Sequence, residues 1–241
     1  MMLSNNLIKQ CVCGNSIRFK EKTINGLPVL ECNDCGVVHQ HLPNFTYEDY
    51  IGFYQYQYHD LYQEKKGVIS YADRYEHDCK VADLRLDAYT DLVRPGMKGL
   101  DVGSSNSAFV HRAISRGLDC VGLEPGDAIG DDAVTIRGTI LTATIENERF
   151  DFVTMHDSIE HMVDVDAEML AINRVMKQGG LLVVDLPDYF GEAGQHHWKR
   201  VEHLWMFNKE DMEDFLWLWG FEVFNVTTPI PGKFVFYARK K

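Results

Sequence analysis

The chain has 241 residues, 45% of them hydrophobic, and a formal net charge of −12. This length allows one large domain with a small appendage. The acidic charge argues against a nucleic-acid partner, because no dense basic patch offsets it. No apolar run reaches the roughly 18 residues of a membrane-spanning helix, and the N-terminus lacks the apolar segment of a secretory signal. We therefore expect a soluble, cytoplasmic protein; the sequence does not indicate its oligomeric state.

Four of the six cysteines lie in two pairs near the N-terminus, Cys11-Val-Cys13 and Cys32-Asn-Asp-Cys35. Clustered cysteines in a chain without a secretory signal bind metal more often than they form disulfides. Four thiolates satisfy the tetrahedral coordination of a structural Zn²⁺ ion. We therefore predict a zinc-ribbon-like β module over residues 1–42, with Cys11, Cys13, Cys32 and Cys35 as the ligands.

Two alternatives remain for this N-terminal segment. The first pair is C-x-C rather than C-x-x-C, so His39 or His41 could replace Cys11 as a ligand. The cysteines could also be reduced, buried thiols that bind no metal. The sequence between the pairs alternates like a β-hairpin with its turn near Asn25-Gly26, which favours the zinc ribbon.

Residues 43–97 form a second segment, which we interpret as a tyrosine-rich linker followed by a helical lid. Apolar residues at helical spacing from Val81 to Leu92 predict an amphipathic helix over residues 70–92. The tripeptide Arg94-Pro95-Gly96 ends that helix. The tyrosines favour either packing between the two parts of the chain or contacts to a ligand.

From residue 98 onward, short apolar segments alternate with helical patterns. We predict strands at 98–102, 119–124, 133–137, 150–156 and 180–186, and helices at 106–116, 164–177 and 208–219. This alternation is typical of a parallel sheet covered by helices on both faces. Two later strands, near 221–227 and 233–239, leave no room for a helix between them. They should form a hairpin at one end of the sheet.

The first of these strands runs into a turn that resembles a nucleotide-binding loop but has only one glycine. Asp101 ends the strand, Gly103 opens the turn, and a helix follows, so backbone N–H groups should favour an anionic ligand group. Glu124 ends the next strand, where an acid can accept hydrogen bonds from ribose hydroxyls. A dinucleotide requires glycine where Ser105 stands. The loop therefore disfavours NAD more than it disfavours S-adenosylmethionine, which has no phosphate.

Three segments together carry a resemblance to a known family. LDVGSSNSAFVHRAISRGLDCVGLEP resembles the first two motifs of class I S-adenosylmethionine-dependent methyltransferases. RFDFVTMHDSIEHMVDVDAEMLAINRVMKQGGLLVVDLPD resembles the fourth and fifth strands of that fold and the helix between them. HLWMFNKEDMEDFLWLWGFEV is similar to a segment common among small-molecule methyltransferases. The resemblance covers residues 98–241, and the N-terminal cysteine motifs resemble those on some methyltransferases of sugar and polysaccharide pathways.

The resemblance implies an α/β, Rossmann-like fold for residues 98–241. Its seven-stranded, mostly parallel sheet would have the order 3-2-1-4-5-7-6, with strand 7 antiparallel. It also implies that S-adenosyl-L-methionine binds at the ends of the first, second and fourth strands. The residues implied to contact the cofactor are Asp101, Gly103, Ser105, Ser107, Glu124, Pro125, Gly138, Ile140, Met155 and His156.

Methyl transfer from a sulfonium needs a positioned nucleophile and, for a hydroxyl or an amine, a base. Imidazole is the usual base near neutral pH, so we predict a catalytic role for His156, His161 or His203. The alternatives are that His161 fixes a turn and that His156 only contacts the cofactor. Weaker substrate-contact candidates are Arg74, Tyr54, Tyr58, His196, His197 and Trp198.

The expected acceptor is a small molecule, through a hydroxyl of a sugar, a nucleotide-sugar or a polysaccharide precursor. Arg74 could pair with the phosphate of a nucleotide-sugar. One alternative is a methyltransferase that docks nucleic acid or protein through its zinc ribbon, and another is a non-catalytic binding protein that retains the fold. The sequence shows no dedicated magnesium site, although Asp157 and Glu160 could orient a histidine or bind a metal.

Overall fold

The computed structural model describes residues 6–15, 18–53, 71–126 and 130–241. In chain order, its strands are β1 (Phe19–Ile24), β2 (Leu27–Cys32), β3 (Val38–Gln40), β4 (Lys98–Val102), β5 (Asp119–Glu124), β6 (Thr135–Arg137), β7 (Phe150–His156), β8 (Met176–Pro187), β9 (Trp205–Met206), β10 (Phe221–Thr227) and β11 (Lys233–Lys240). The α-helices are α1 (Tyr47–Gly52), α2 (Tyr71–Ala88), α3 (Ala108–Ser115), α4 (Val165–Val175) and α5 (Lys209–Leu218). Short 3₁₀ helices span Ile159–His161 and Glu192–His197.

The larger sheet has seven strands in the order β10-β11-β8-β7-β4-β5-β6. Neighbouring strands from β8 to β6 are parallel, whereas β11 pairs antiparallel with both β8 and β10. The order 3-2-1-4-5-7-6 with an antiparallel seventh strand is therefore confirmed. The late hairpin is confirmed as well, with Phe221 opposite Lys240.

Both faces of this sheet are buried, and alternate residues of one strand enter different cores. On β8, Leu181 and Val183 pack with residues of α2 and α3, such as Leu86 and Phe109. Leu182 and Val184 pack on the other face, with residues of α4 and α5 such as Ile172 and Leu216. A strand buried on both faces needs a continuous apolar run, which explains the sequence LLVV in β8.

The predicted helix over residues 164–177 ends two residues early, at Val175. Strand β8 begins immediately at Met176, which pairs with Phe150 of β7, and the N–H group of Arg149 donates to the carbonyl of Val175. The backbone there satisfies its hydrogen bonds in the sheet rather than in another helical turn. Among the described helices, none combines the length and apolarity needed to cross a bilayer.

The smaller sheet has four strands in the order β1-β2-β3-β9. Asn25 and Gly26 join β1 to β2 with φ values of 51° and 77°, so the predicted turn is confirmed. The fourth strand comes from the loop after β8, where Trp205 pairs with His39. This pairing brings the cysteine-bearing segment against the loop that follows the fifth strand of the large sheet.

Candidate active site

The loop between β4 and α3 lies at the carboxyl edge of the parallel strands. Gly103, Ser105 and Ser107 have φ values of 79°, 47° and 61°, so all three are left-handed. Two of them are serines, which adopt this conformation at a cost of about 1–3 kcal/mol each. The loop thus keeps a backbone that glycine would adopt freely.

The hydroxyl of Ser107 ties this loop to the segment before β6. It accepts the N–H of Asp131 at 2.9 Å and lies 3.0 Å from the hydroxyl oxygen of Thr135. Ser107 is fully buried. Its side chain therefore supports the loop from behind.

Glu124 joins the end of β5 to the same loop. One carboxylate oxygen accepts the N–H of Ser105 at 2.9 Å, and the other accepts the N–H of Gly126 at 2.9 Å. Burial raises the pKa of Glu124, and the two N–H donors oppose that rise. Pro125 follows as an exposed residue, and the N–H of Gly138 donates to the carbonyl of Glu124 at 3.0 Å.

Asp101 and Met155 lie under the loop rather than on its surface. Asp101 is buried and accepts a hydrogen bond from the hydroxyl of Thr154 at 2.8 Å, and burial raises its pKa. Met155 is fully buried in the core, as is Ile140 beyond Gly138. These residues fix the end of β4 and its surroundings.

A buried network of charges lies at the ends of β7 and β8. Asp185 accepts hydrogen bonds from Nε of Arg85 at 2.8 Å, from Nδ1 of His156 at 3.0 Å and from the N–H of Asp157 at 2.9 Å. Asp157 in turn pairs with Arg85 at 3.0 Å and with Lys233. Burial alone would raise the pKa of Asp185, but the charges of Arg85 and Lys233 and the hydrogen bond with His156 lower it.

Sequence reasoning missed three members of this network, namely Arg85, Asp185 and Lys233. Asp185 carried a usable signal, because a carboxylate inside the apolar run LLVVDLP must find a buried partner. Its partner Arg85 lies 100 residues earlier in the chain, on α2. Nothing in a single sequence indicates which cation meets that acid.

His156 is held by this network with one nitrogen unused. Nδ1 is hydrogen-bonded to Asp185, whereas Nε2 is buried and has no hydrogen-bond partner in the part of the chain that the structure describes. The ring lies 4.8 Å from the ring of Phe109, centroid to centroid. The hydroxyl of Ser158 is also buried, with no hydrogen-bond partner among the described residues, and the Cβ of Ser158 lies 2.9 Å from where a Cβ on Gly103 would be.

A second polar cluster lies after β7 and β8. The ligand atoms of Glu160, His161 and His203 all lie within 4.8 Å of one another. The hydroxyl of Tyr189 contacts Nδ1 of His203 at 2.7 Å. The ring of His197 stacks on that of His203 at 5.9 Å between centroids.

Comparison with known proteins decides the family of this chain. A family model described as a methyltransferase domain matches residues 72–226. The chain belongs to this methyltransferase family. It is a class I S-adenosylmethionine-dependent methyltransferase, in agreement with the fold and with the resemblance in its motifs. No curated protein matches its sequence.

Solved structures support the fold of the methyltransferase. An S-adenosylmethionine-dependent methyltransferase of Thermotoga maritima is 21% identical, with a TM-score of 0.55 over 71% of this chain and 97% of its own. The 1,6-didemethyltoxoflavin-N1-methyltransferase of Burkholderia thailandensis is 13% identical, with a TM-score of 0.63 over 87% of this chain and 97% of its own. A Mesorhizobium loti enzyme of the same class is 14% identical, with a TM-score of 0.55 over 65% and 97%.

The residues around the loop fit S-adenosylmethionine. Glu124 keeps free lone pairs on both oxygens, because a carboxylate can accept about four hydrogen bonds and this one accepts two from backbone N–H groups. The Ser158 hydroxyl, which has no hydrogen-bond partner among the described residues, is a polar group that a ligand at the loop could satisfy. A Cβ on Gly103 would lie only 2.9 Å from the Cβ of Ser158, so a larger residue there would push on the loop and on Ser158.

The predicted substrate residues of the methyltransferase are divided between several places. Arg74 forms an ion pair with Asp78 at 3.2 Å, and Asp78 accepts a hydrogen bond from Asn106 of the loop at 2.8 Å. His196 is exposed next to His197, 4.0 Å between ring centroids. Trp198 is buried, and its indole N–H donates to the carbonyl of Tyr189 at 2.7 Å. Tyr54 and Tyr58 lie outside the described residues.

The four N-terminal cysteines converge, as the spacing predicted. The Sγ atoms of Cys11 and Cys35 are 3.5 Å apart, those of Cys13 and Cys32 are 3.5 Å apart, and all four lie within 4.8 Å of one another. Four sulfurs around one zinc ion at ~2.3 Å would be about 3.8 Å apart. His39 is not in this cluster, because its ring packs between Phe19 and Trp205, 5.3 Å from each. The donor set therefore fits a tetrahedral metal ion.

Proposed function

We propose that this enzyme methylates a hydroxyl of a small polar molecule, either a sugar, a nucleotide-sugar or a polysaccharide precursor. The observation that carries this proposal is the cluster of hydrogen-bonding side chains beyond β7 and β8, formed by Glu160, His161, Tyr189, His197 and His203. Such side chains suit an acceptor rich in hydroxyl groups. The net charge of −12 disfavours a polyanionic acceptor.

In this proposal, Glu124 binds the ribose hydroxyls of S-adenosylmethionine through its remaining lone pairs. The loop from Gly103 to Ser107 holds the methionine part from below, and the segment from Gly138 to Ile140 flanks the adenine. The cofactor would supply an electrophilic methyl group carried on a sulfonium, and the electron pair of the methyl–sulfur bond would stay on sulfur. Within the chain, the task is to place the acceptor oxygen in line and to take its proton.

We assign that proton to Nε2 of His156. Asp185 accepts the Nδ1–H of the ring at 3.0 Å, which leaves the lone pair on Nε2 and fixes the ring orientation. With the proton of the acceptor hydroxyl on Nε2, the acceptor oxygen would be the nucleophile for the methyl group that the bound cofactor would supply. Burial lowers the pKa of His161 to about 3, which makes this imidazole a weak base. Burial also lowers the pKa of His203.

For the N-terminal segment we propose a structural Zn²⁺ ion bound by Cys11, Cys13, Cys32 and Cys35. The ion would hold together a sheet too small for a stable core of its own. Because β3 pairs with β9, this module would also hold the loop after β8 in place. In this division, residues 1–42 form the zinc module, 43–97 the linker and lid, and 98–241 the methyltransferase domain.

The proposal is tested by measuring S-adenosylhomocysteine release with a panel of acceptors. Nucleotide-sugars and free sugars should give turnover, whereas structured RNA and unfolded protein should not. His156→Gln should lower kcat by at least about 100-fold, the usual contribution of a general base, with the cofactor Kd little changed. His77→Gln, at an exposed position of α2, is the matched control. Turnover with RNA or protein alone, or full activity of the His156 variant, would contradict the proposal.

A further inference from the structure

The second polar cluster holds a buried carboxylate. Glu160 is fully buried, and neither of its oxygens has a hydrogen-bond partner among the residues that the structure describes. A buried polar group without a partner is costly, and native proteins rarely keep one. Two imidazoles lie beside it, since the ligand atoms of Glu160, His161 and His203 are all within 4.8 Å of one another.

We propose that Glu160, His161 and His203 bind a divalent transition-metal ion, and that this ion holds the acceptor hydroxyl beside the cofactor. The binding of the ion stands on these residues alone, whereas its role toward the acceptor rests on the proposed function. The site is distinct from the four-cysteine cluster, which lies in the small sheet.

Contacts around the cluster orient its members. The hydroxyl of Tyr189 contacts Nδ1 of His203 at 2.7 Å, so Nε2 is the ring nitrogen that we assign to the metal ion. A hydrogen bond to the second ring nitrogen is the usual arrangement for a histidine that binds metal. Glu202, which lies 3.6 Å from that Nε2, is paired with Lys199 at 2.6 Å.

The backbone that carries these ligands is fixed on both sides. The N–H of Leu204 donates to the carbonyl of Glu160 at 2.8 Å, and the indole N–H of Trp205 donates to the carbonyl of Met162 at 2.8 Å. The hydroxyl of Tyr50 donates to the carbonyl of His161. These hydrogen bonds therefore fix the turn after β7 relative to the loop after β8, and with them the positions of the three ligand residues.

The donor set indicates the kind of metal. Two imidazole nitrogens and one carboxylate oxygen suit zinc, iron, cobalt or manganese, whereas Mg²⁺ and Ca²⁺ prefer oxygen ligands alone. Three protein ligands leave at least one coordination position open. An acceptor hydroxyl in that position would lose its proton more readily and would be oriented toward the methyl donor.

The test is to strip the purified full chain of metal, reload it with Co²⁺ and measure bound metal per chain with the visible spectrum. Two equivalents are expected, one with intense thiolate-to-cobalt bands and one with only weak bands from nitrogen and oxygen ligands. One equivalent in the wild-type protein, with thiolate bands alone, would overturn the proposal whether or not any variant folds.

Variants separate the two sites. Glu160→Gln and His203→Gln should each bind one equivalent and keep the thiolate bands, whereas Cys32→Ser should lose those bands and keep the other equivalent. Glu192→Gln, at an exposed position of the loop after β8, should keep two equivalents. If Glu160→Gln and His203→Gln both keep two equivalents while folded by circular dichroism, the ligand assignment is wrong.

A parallel titration with S-adenosylmethionine keeps the two proposals distinguishable. Glu160→Gln should bind the cofactor with unchanged Kd and should show a raised KM for the acceptor. A second metal ion without any methyl transfer to a hydroxyl compound would contradict only the proposed function. Methyl transfer to such a compound by a wild-type protein that binds one equivalent would contradict only the metal site.

Discussion

Asp185 is the residue that balances the buried cations at the end of β8. Replacing it with asparagine leaves Arg85 in the interior without one of its two carboxylate partners, and it removes the partner of His156 Nδ1. Breaking a buried ion pair from one side typically costs about 3–5 kcal/mol. We expect Asp185→Asn to lower the free energy of unfolding by that amount, measured by urea denaturation.

The matched control is Asp87→Asn, which breaks the ion pair of Asp87 with Arg116 on the surface. An exposed pair contributes about 0–1 kcal/mol, so this change should be nearly neutral. If both substitutions had equally small effects on the free energy of unfolding, the buried ion pair of Asp185 with Arg85 would not stabilise the fold as predicted.

Glu124 is the residue whose role the sequence predicted most specifically. Glu124→Ala removes the acceptor for Ser105 and Gly126 N–H groups and the predicted acceptor for ribose. We expect S-adenosylmethionine affinity to fall by about 1–3 kcal/mol, the cost of leaving buried donors unpaired. Asp132→Ala, at an exposed acid that pairs with Arg137 nearby, should leave the Kd unchanged. A calorimetric Kd for Glu124→Ala equal to that of the wild type would remove Glu124 from the cofactor site.

At the scale of elements, the cofactor loop rests directly on strand β5. A Cβ added to Gly122 would lie 2.3 Å from the hydroxyl oxygen and 2.6 Å from the Cβ of Ser104 in the loop. Gly122→Ala must therefore displace the loop from its strand. We expect a clear loss of S-adenosylmethionine affinity, measured by calorimetry on folded protein. A Cβ on Gly52 would meet no heavy atom of the described residues within 4 Å, so Gly52→Ala should bind the cofactor as the wild type does. Equal affinities of Gly122→Ala and the wild type would show that the loop is not held by this contact.

The elements were predicted well where their signal was local. The strands β4, β5, β7 and β10 begin and end at the predicted residues, because each is an apolar segment flanked by turn residues. Strand β9 was missed, because two residues carry no periodicity and its partner β3 lies more than 160 residues away in the chain. Pairings of this kind depend on tertiary packing.

At the scale of the whole molecule, His39 lies where the two sheets meet. Its ring is fully buried between Phe19 of the small sheet and Trp205 of the loop after β8, and burial lowers its pKa to about 4 from an ordinary 6.5. As the pH falls, the unfolded chain therefore takes up this proton at a higher pH than the folded protein does. The contribution of neutral, buried His39 to the free energy of unfolding is complete above pH 6.5 and is lost as the pH falls toward 4.

We expect His39→Phe to gain stability relative to the wild type as the pH falls through this window, by about 1.4 kcal/mol per pH unit. Urea unfolding of both proteins at several pH values, with metal content matched, measures the difference. His77→Gln, at an exposed histidine, should follow the wild type throughout. A difference between His39→Phe and the wild type that stays constant with pH would contradict the assigned pKa.

The features of the whole chain that depend on patterns within one strand or on short motifs were predictable from the sequence. The alternation of strands and helices predicted the sheet, and the motifs around Gly103 and Glu124 predicted the family, which the methyltransferase match confirms. Two features were not predictable. Strand β9 joins the small sheet, and Arg85 and Lys233 both pair with Asp157. These contacts join residues far apart in the chain, and composition and spacing do not report them.

The most direct test of the central claim is a calorimetric titration of metal-quantified protein with S-adenosylmethionine and, separately, with NAD. A loop with serine at two left-handed positions and a carboxylate at the end of β5 should bind the first and give no heat with the second. Saturable binding of S-adenosylmethionine alone is the predicted result. Binding of NAD, or binding of neither compound by folded protein, would contradict the cofactor assignment and the methyl-transfer function built on it.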